Sequence, residues 1–135
     1  MSNSARAART ATSAWHIQLF STAVDAPVRW RLLSGNNRDM GRGTDHFPDA
    51  VACELAIKEL QANAEELVAK VRRVEPCQWL FQICWNDIPI AAAGHRFDRL
   101  IRCEQGMEQF LENFATAPVG TAVMLSDARR WRTAS

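Results

Sequence analysis

One pattern occurs twice in this chain, and the repetition constrains the fold more than any other feature. Residues 28–60 read VRWRLLSGNNRDMGRGTDHFPDAVACELAIKEL, and residues 79–111 read WLFQICWNDIPIAAAGHRFDRLIRCEQGMEQFL. A shift of fifty-one positions aligns the two stretches before the turn, pairing Trp30 with Phe81, and a shift of fifty aligns them after it, pairing Asn36 with Asn86, Phe47 with Phe97 and Cys53 with Cys103. Because core faces, turn and helix start are preserved together, we interpret the pattern as an internal duplication.

The first copy predicts three strands followed by a helix. The motifs WHIQLF and VRWRL alternate between two faces, which is the period of a half-buried strand. The motif SGNN predicts a turn, and RDMGRG predicts a third, weaker strand. Asp49 is expected to cap a helix, because its carboxylate can accept from the unpaired amides of the first turn. The apolar stripe of that helix consists of Cys53, Ala56, Ile57, Leu60 and Ala64.

The second copy follows the same order less clearly. Trp79, Phe81, Ile83 and Trp85 share one face of a predicted strand, and IPIAAAG predicts the next strand. Asp98 is expected to cap a helix with a stripe through Cys103, Met107, Phe110 and Phe114. AVML suggests a short final strand. Residues 65–76 fit either the end of the first helix or a strand that opens the second copy.

The predicted fold class is α+β, with two tandem repeats related by a pseudo-twofold axis. Each repeat is expected to be a small antiparallel sheet of three strands followed by one helix, and two such units would complete each other's core. The expected organisation is a disordered N-terminal tail at 1–14, repeat 1 at 15–66, repeat 2 at 67–117 and a basic C-terminal tail at 118–135.

Residues 28–64, VRWRLLSGNNRDMGRGTDHFPDAVACELAIKELQANA, resemble the repeat of the YegP-like family of small bacterial proteins. The shared features are an aromatic-x-aromatic strand, a Gly/Asn turn, a strand of small residues, an aromatic residue before the cap, and a helix ending near Asn-Ala. The resemblance covers residues 15–64 well and 77–114 loosely. It implies strand-rich tandem repeats with one helix each. It also implies that single-repeat relatives pair as homodimers, and it supplies no biochemical role.

Cysteine usage and hydropathy favour a cytoplasmic protein. The four cysteines form no Cys-x-x-Cys pair, and no histidine lies at zinc-ligand spacing from them. The N-terminus lacks the apolar run of a signal peptide, and no stretch is apolar enough for a membrane span. We therefore expect reduced thiols, no membrane partner, no metal and no cofactor.

Catalytic chemistry finds little support in the sequence. His46 and His95 flank the aromatic residue before each helix, but Cys103 lies on an apolar stripe and is expected to be buried and inert. The glycines of GNNRDMGRG match no phosphate-loop spacing. We predict no catalytic residue and lean against an enzyme. A deep polar pocket containing His95 and Asp98 would favour one.

The outward strand faces supply the candidate binding residues. Arg29, Arg31 and Arg42 lie opposite the predicted core and suit an anion or nucleic acid. Arg129, Arg130 and Arg132 surround a tryptophan in the C-terminal segment, a pattern that can hold single-stranded nucleic acid. The equivalent outward residues of the second copy are Leu80, Gln82 and Cys84, which are nearly apolar. Such a face needs a cover, from residues 65–76 or 118–125 or from another chain.

These observations predict a non-enzymatic protein-interaction module, whose partner is another protein or a second copy of the chain. The three residues Leu80, Gln82 and Cys84 are its predicted partner-binding site. The alternative is a nucleic-acid-associated protein that uses the arginine-bearing sheet face and the basic C-terminal tail. The formal net charge of +1 does not decide between them.

Overall fold

The computed structural model of the chain describes residues 15–125. The predicted N-terminal tail and the three C-terminal arginines, Arg129, Arg130 and Arg132, lie outside the described residues. The elements in chain order are β1 (His16–Ser21), β2 (Arg29–Leu33), β3 (Asp39–Gly43), α1 (Ala50–Ala62), a 3-10 turn (Ala64–Glu66), β4 (Val68–Glu75), β5 (Gln78–Trp85), β6 (Ile88–Ala92), α2 (Leu100–Phe114) and β7 (Val119–Leu125).

All seven strands form one mixed sheet with the order β4-β5-β6-β3-β2-β1-β7. β7 pairs with β1 in parallel, and every other pair of neighbours is antiparallel. The α+β class is therefore correct, but the expectation of separate three-stranded sheets is wrong. The sheets merge because β3 pairs with β6, where Arg42 lies opposite Ala92 and Gly43 opposite Ala91.

The chain reverses direction at asparagine-bearing turns, as the sequence predicts. Asn86 and Asp87 connect β5 to β6 with φ angles of 54° and 66°, and Trp85 pairs directly with Ile88 on either side. Positive φ at both central residues is the geometry of a two-residue hairpin, and Asn and Asp tolerate it best among side-chain-bearing residues. Between β2 and β3 the positive φ belongs to Asn37, at 60°.

Residues 65–76, which the sequence leaves open, consist mostly of a strand and do not continue the first helix. α1 ends at Ala62, and β4 then runs beside β5 from Val68 to Glu75. The predicted cap at Asp49 is confirmed, since Oδ1 of Asp49 accepts from the Ala52 amide at 2.8 Å. The predicted cap at Asp98 is wrong, because α2 begins one residue later, with Arg99 in the cap position and no side-chain bond.

Both helices pack on the same face of the sheet and share one core. Cys53 and Ile57 of α1 and Cys103, Phe110 and Phe114 of α2 are all fully buried. The Phe114 ring lies 5.4 Å from the Trp30 ring of β2 and 5.4 Å from that of Phe110. The sheet residues in this core cluster are Ile17, Leu19, Val28, Trp30, Leu32, Phe81, Ile83 and Ala91. The fold therefore has two layers, with helices on one side of the sheet.

The two outermost described strands differ in charge. β4, with the sequence VAKVRRVE, carries Lys70, Arg72, Arg73 and Glu75. β7, with the sequence VGTAVML, carries no charged side chain. Among residues 15–125, neither helix is both long and apolar enough to cross a membrane.

Candidate functional site

The sheet face opposite the two helices, here called the open face, carries a row of polar and cationic side chains. Directly paired strand residues project to the same side of a sheet. The strand registers therefore align one side chain from each of six neighbouring strands in the order Lys70, Gln82, Ala92, Arg42, Arg31 and Gln18. Neighbouring strands lie about 4.8 Å apart, so the row crosses most of the sheet.

Two further cations flank this row. Arg72 pairs with Leu80 at one end of the sheet, and Arg29 pairs with Phe20 near the other. The carboxylate of Asp39 lies beside the row and accepts from Nε of Arg42 at 2.6 Å. The open face is therefore rich in positive charge although the chain as a whole is close to neutral.

Defined contacts hold the arginines at the β1–β2 end. Nε of Arg31 donates to Oε1 of Gln18 at 2.8 Å. The Phe20 ring lies beneath two guanidinium groups, with its centroid 5.1 Å from Cζ of Arg31 and 5.9 Å from Cζ of Arg29. Cation–π attraction of this kind favours arginine over a flat ring. It also keeps Phe20, which the sequence places on the outward face, only 2% exposed.

The predicted partner-binding residues lie on the same open face. Leu80 and Gln82 are half-buried, and Cys84 is only 3% exposed, so a partner can reach Leu80 and Gln82 more readily than Cys84. The proposed covers within the chain are wrong. Residues 68–75 form β4, which lies beside this strand in the sheet, and residues 119–125 form β7 at the opposite edge.

The sequence missed Lys70 and Arg72 as members of this surface. Their segment fitted both a helix and a strand, and only a strand puts them beside Gln82 and Leu80. The alternation of Ala69 and Val71 with Lys70 and Arg72 is the signal that could have found them.

The Cys103 thiol is inaccessible to solvent, as the sequence predicts. Cys103 and Cys53 are fully buried. Burial raises the pKa of Cys53 from 9.0 to about 12, and burial followed by the charge of Glu104 raises the pKa of Cys103. The His95 ring lies 4.3 Å from the Phe97 ring, tilted by 45°. Within residues 15–125 no group of three His, Cys, Asp or Glu side chains is placed to hold a metal ion.

These cysteines give a first prediction. A thiol reagent near neutral pH is expected to modify the exposed Cys77 quickly and Cys53 and Cys103 only at the rate of global opening, because a buried, protonated thiol is unreactive. The free energy of unfolding should also decrease as pH rises from 9.0 to about 12. Across that range the unfolded chain loses the Cys53 proton while the folded chain keeps it.

Mass spectrometry of time-resolved labelling checks the order of modification, and Cys77→Ser gives the control in which the fast phase disappears. Rapid labelling of Cys53 or Cys103 in the folded protein would contradict the prediction.

The fold is similar to that of proteins of known structure. The chain is similar to YegP from E. coli, a protein of unknown function, with a TM-score of 0.62, 14% identity, and coverage of 82% of this chain and 94% of that one. It is also similar to a UPF0339 protein from Shewanella oneidensis, with a TM-score of 0.64, 13% identity, and coverage of 82% of this chain and 92% of that one. No family model and no curated protein matches the sequence.

The chain is therefore an α+β protein with two helices on one face of a mixed sheet. Its fold is that of YegP, and the resemblance seen in the sequence is confirmed at the level of fold.

Proposed function

We propose that the chain is a non-enzymatic, cytoplasmic binding module and that its open face binds an acidic surface of another protein. The observation that carries this proposal is the alignment of Lys70, Arg42 and Arg31 in one row across the sheet. A patch of one sign attracts a partner of the other sign and sets its orientation.

Apolar side chains beside the cations suit a protein partner. Val68, which pairs with Cys84, is 54% exposed, and Met124, which pairs with Phe20, is 50% exposed. Leu80 lies between them in the sheet, beside Arg72. Protein interfaces combine apolar and arginine-rich surfaces, and this face offers both.

Nucleic acid is the second candidate, favoured by the cation row itself. Arginine and lysine in a line can follow a phosphate backbone. Base stacking needs exposed aromatic rings, however, and the aromatic ring of β1 on this face, Phe20, is buried beneath arginine side chains. Nucleic-acid binding by this face would therefore weaken with salt and would not depend on the base sequence.

The test reverses charge at one end of the row. Lys70 and Arg72 are exposed on β4, so the double variant Lys70→Glu/Arg72→Glu should fold normally. We expect it to lose about tenfold or more in affinity for poly-L-glutamate, which serves as the acidic polypeptide probe, as measured by fluorescence anisotropy. The matched control is Lys58→Glu/Arg99→Glu, which changes net charge equally on exposed residues of the helical layer.

Equal losses in the two double variants would show that net charge alone governs binding and would contradict the proposal. Tighter binding of mixed-sequence single-stranded RNA than of poly-L-glutamate, lost in the β4 variant only, would replace the protein partner with nucleic acid.

We also infer that the fold consists of two repeats related by a pseudo-twofold axis. Matching contacts support this. The Val28 amide donates to the Phe47 carbonyl oxygen at 2.7 Å, and the Phe47 amide donates to the Val28 carbonyl oxygen at 2.8 Å. Trp79 and Phe97 exchange the same two bonds at 2.8 and 2.9 Å. Superposing Cα atoms of residues 28–62 on those of 79–112 tests the inference, and a rotation far from a half-turn would contradict it.

A further inference from the structure

A cleft of about 950 Å³ lies at the end of the sheet where β3 begins and β6 ends. β3 and β6 pair at Arg42–Ala92 and Gly43–Ala91. The segment after β6 then passes close to the start of β3, where a Cβ atom on Gly94 would lie 3.0 Å from the Asp39 carbonyl oxygen. The start of β3 forms one wall, the segment from Gly94 to Asp98 forms the base, and α2 forms the other wall.

The α2 wall is a polar stripe. Arg102, Gln105 and Gln109 line the cleft at i, i+3 and i+7, which places them on one side of the helix, and all three are exposed. The fifty-residue alignment sets Ala52, Leu55 and Glu59 at the matching positions of α1. The cationic and amide side chains therefore belong to the second half alone.

The opposite wall includes two more arginines, Arg38 and Arg42. The Asp39 carboxylate holds the start of β3 in place. Its Oδ2 accepts from Nε of Arg42 at 2.6 Å, and its Oδ1 accepts from the Gly41 amide at 3.1 Å. Arg42 is consequently positioned by a carboxylate, whereas Arg38 extends from the turn that precedes β3.

A buried glycine allows α2 to pack closely against the base of the cleft. Gly106 of α2 lines the cleft, and a Cβ atom at this position would lie 2.9 Å from Cζ of Phe97. The missing side chain lets the helix approach the Phe97 ring, which also lines the cleft. The base thus offers an apolar surface between polar walls.

Positive charge exceeds negative charge in this cleft. Its lining includes four arginines, Arg38, Arg42, Arg96 and Arg102, but only two aspartates, Asp39 and Asp98. Within the described part of the chain, Asp39 pairs with Arg42, and neither Arg38 nor Arg102 lies within 4.0 Å of a carboxylate. The planar guanidinium group of arginine matches the paired oxygens of a phosphate or carboxylate.

We propose that the cleft binds a small organic anion. Arg102 and Arg38 hold its phosphate or carboxylate group from opposite walls, Gln105 and Gln109 bond to its polar body, and Phe97 contacts its apolar part. His95 and Asp98 line the cleft, as an enzyme would require, but Cys103 is not part of the lining and is buried. The cleft is therefore a second binding site, which shares only Asp39 and Arg42 with the open face.

Titration of the full-length, nitrogen-15-labelled chain with ribose 5-phosphate, citrate and inorganic phosphate tests this proposal. We expect saturable chemical-shift changes centred on the amides of Gly94, Gly106 and Gln105, with one organic anion binding more tightly than inorganic phosphate. The preferred anion distinguishes a phosphate ligand from a carboxylate ligand.

Arg102→Gln is expected to weaken that binding about tenfold or more. Arg99→Gln, which removes the same charge from an exposed residue outside the cleft, should leave it unchanged, and so should Lys70→Glu/Arg72→Glu. Gln105→Glu, which adds a negative charge to the stripe, should also weaken binding.

Three results would overturn the proposal. The first is an equal loss of anion affinity in Arg102→Gln and Arg99→Gln. The second is a set of chemical-shift changes spread over all surface arginines. The third is the absence of a saturable chemical-shift change with any of the three probes. Because the open-face variant keeps its cleft, failure of this test leaves the partner-binding proposal intact, and the reverse also holds.

Discussion

Phe110→Ala is expected to reduce the free energy of unfolding by about 4 kcal/mol, because it empties a fully enclosed site. Phe110 is 0% exposed and packs against Phe81 of β5 and Phe114 of α2, with ring centroids 6.0 and 5.4 Å away. A Cβ atom on Gly41 of β3 would also meet its ring, at 2.5 Å. The side chain therefore connects α2 to strands from both halves of the sheet.

Urea denaturation followed by tryptophan fluorescence measures the loss. Ile101→Ala is the control, since Ile101 lies on the same helix but is 56% exposed and should cost less than about 1 kcal/mol. Similar losses for the two variants would contradict the central role of Phe110 in the shared core.

Gly43→Ala is expected to destabilise the protein by about 3 kcal/mol through overpacking. A Cβ atom on Gly43 would overlap Nε1 of Trp30 and lie 2.8 Å from its Cδ1. The Trp30 indole is itself only 2% exposed and packs on Phe114, so it has little room to move. Gly43 is also one of the two β3 residues that pair with β6, where the two halves of the sheet join.

Gly120→Ala in β7 provides the matched control, because its Cβ atom would lie 3.4 Å from the Ile17 carbonyl oxygen, in ordinary contact. Thermal denaturation should therefore show a large decrease in melting temperature for Gly43→Ala and a small change for Gly120→Ala. A Gly43→Ala protein as stable as the Gly120→Ala control would show that the indole can relocate.

Local features of this fold could be predicted from the sequence, because they depend on side-chain periodicity. The stripe through Cys53, Ile57 and Leu60 and the alternation around Trp30 report which side of each element is buried, and the structure confirms both. The Asn86–Asp87 turn is equally local. Such patterns come from the geometry of one element at a time.

Pairing between distant strands could not be predicted in the same way. The β3–β6 contact depends on Arg42 meeting Ala92, fifty residues away, and neither side chain indicates the other. The parallel pairing of β7 with β1 is likewise a long-range choice. A duplicated pattern favours two similar units but does not state whether their sheets fuse.

The same distinction applies to the candidate sites. Arg29, Arg31 and Arg42 were identified as outward-facing from strand alternation, but the row they form with Lys70 requires every intervening register. The anion cleft combines a turn before β3, the segment after β6 and one side of α2. The sequence draws attention to His95 and Asp98, whereas nothing in the pattern of α2 marks Arg102 and Gln105 as more than exposed polar residues.

The unequal charge of the two outer strands determines how far this sheet could grow by adding copies. Endless growth into a fibril needs two receptive edges on every molecule, whereas a single receptive edge ends the process at a closed pair. The charged side chains of β4 oppose backbone pairing, and the uncharged β7 permits it. We therefore expect any edge-to-edge pairing through the described strands to stop at two copies, so that sedimentation of a concentrated sample shows no species larger than a dimer.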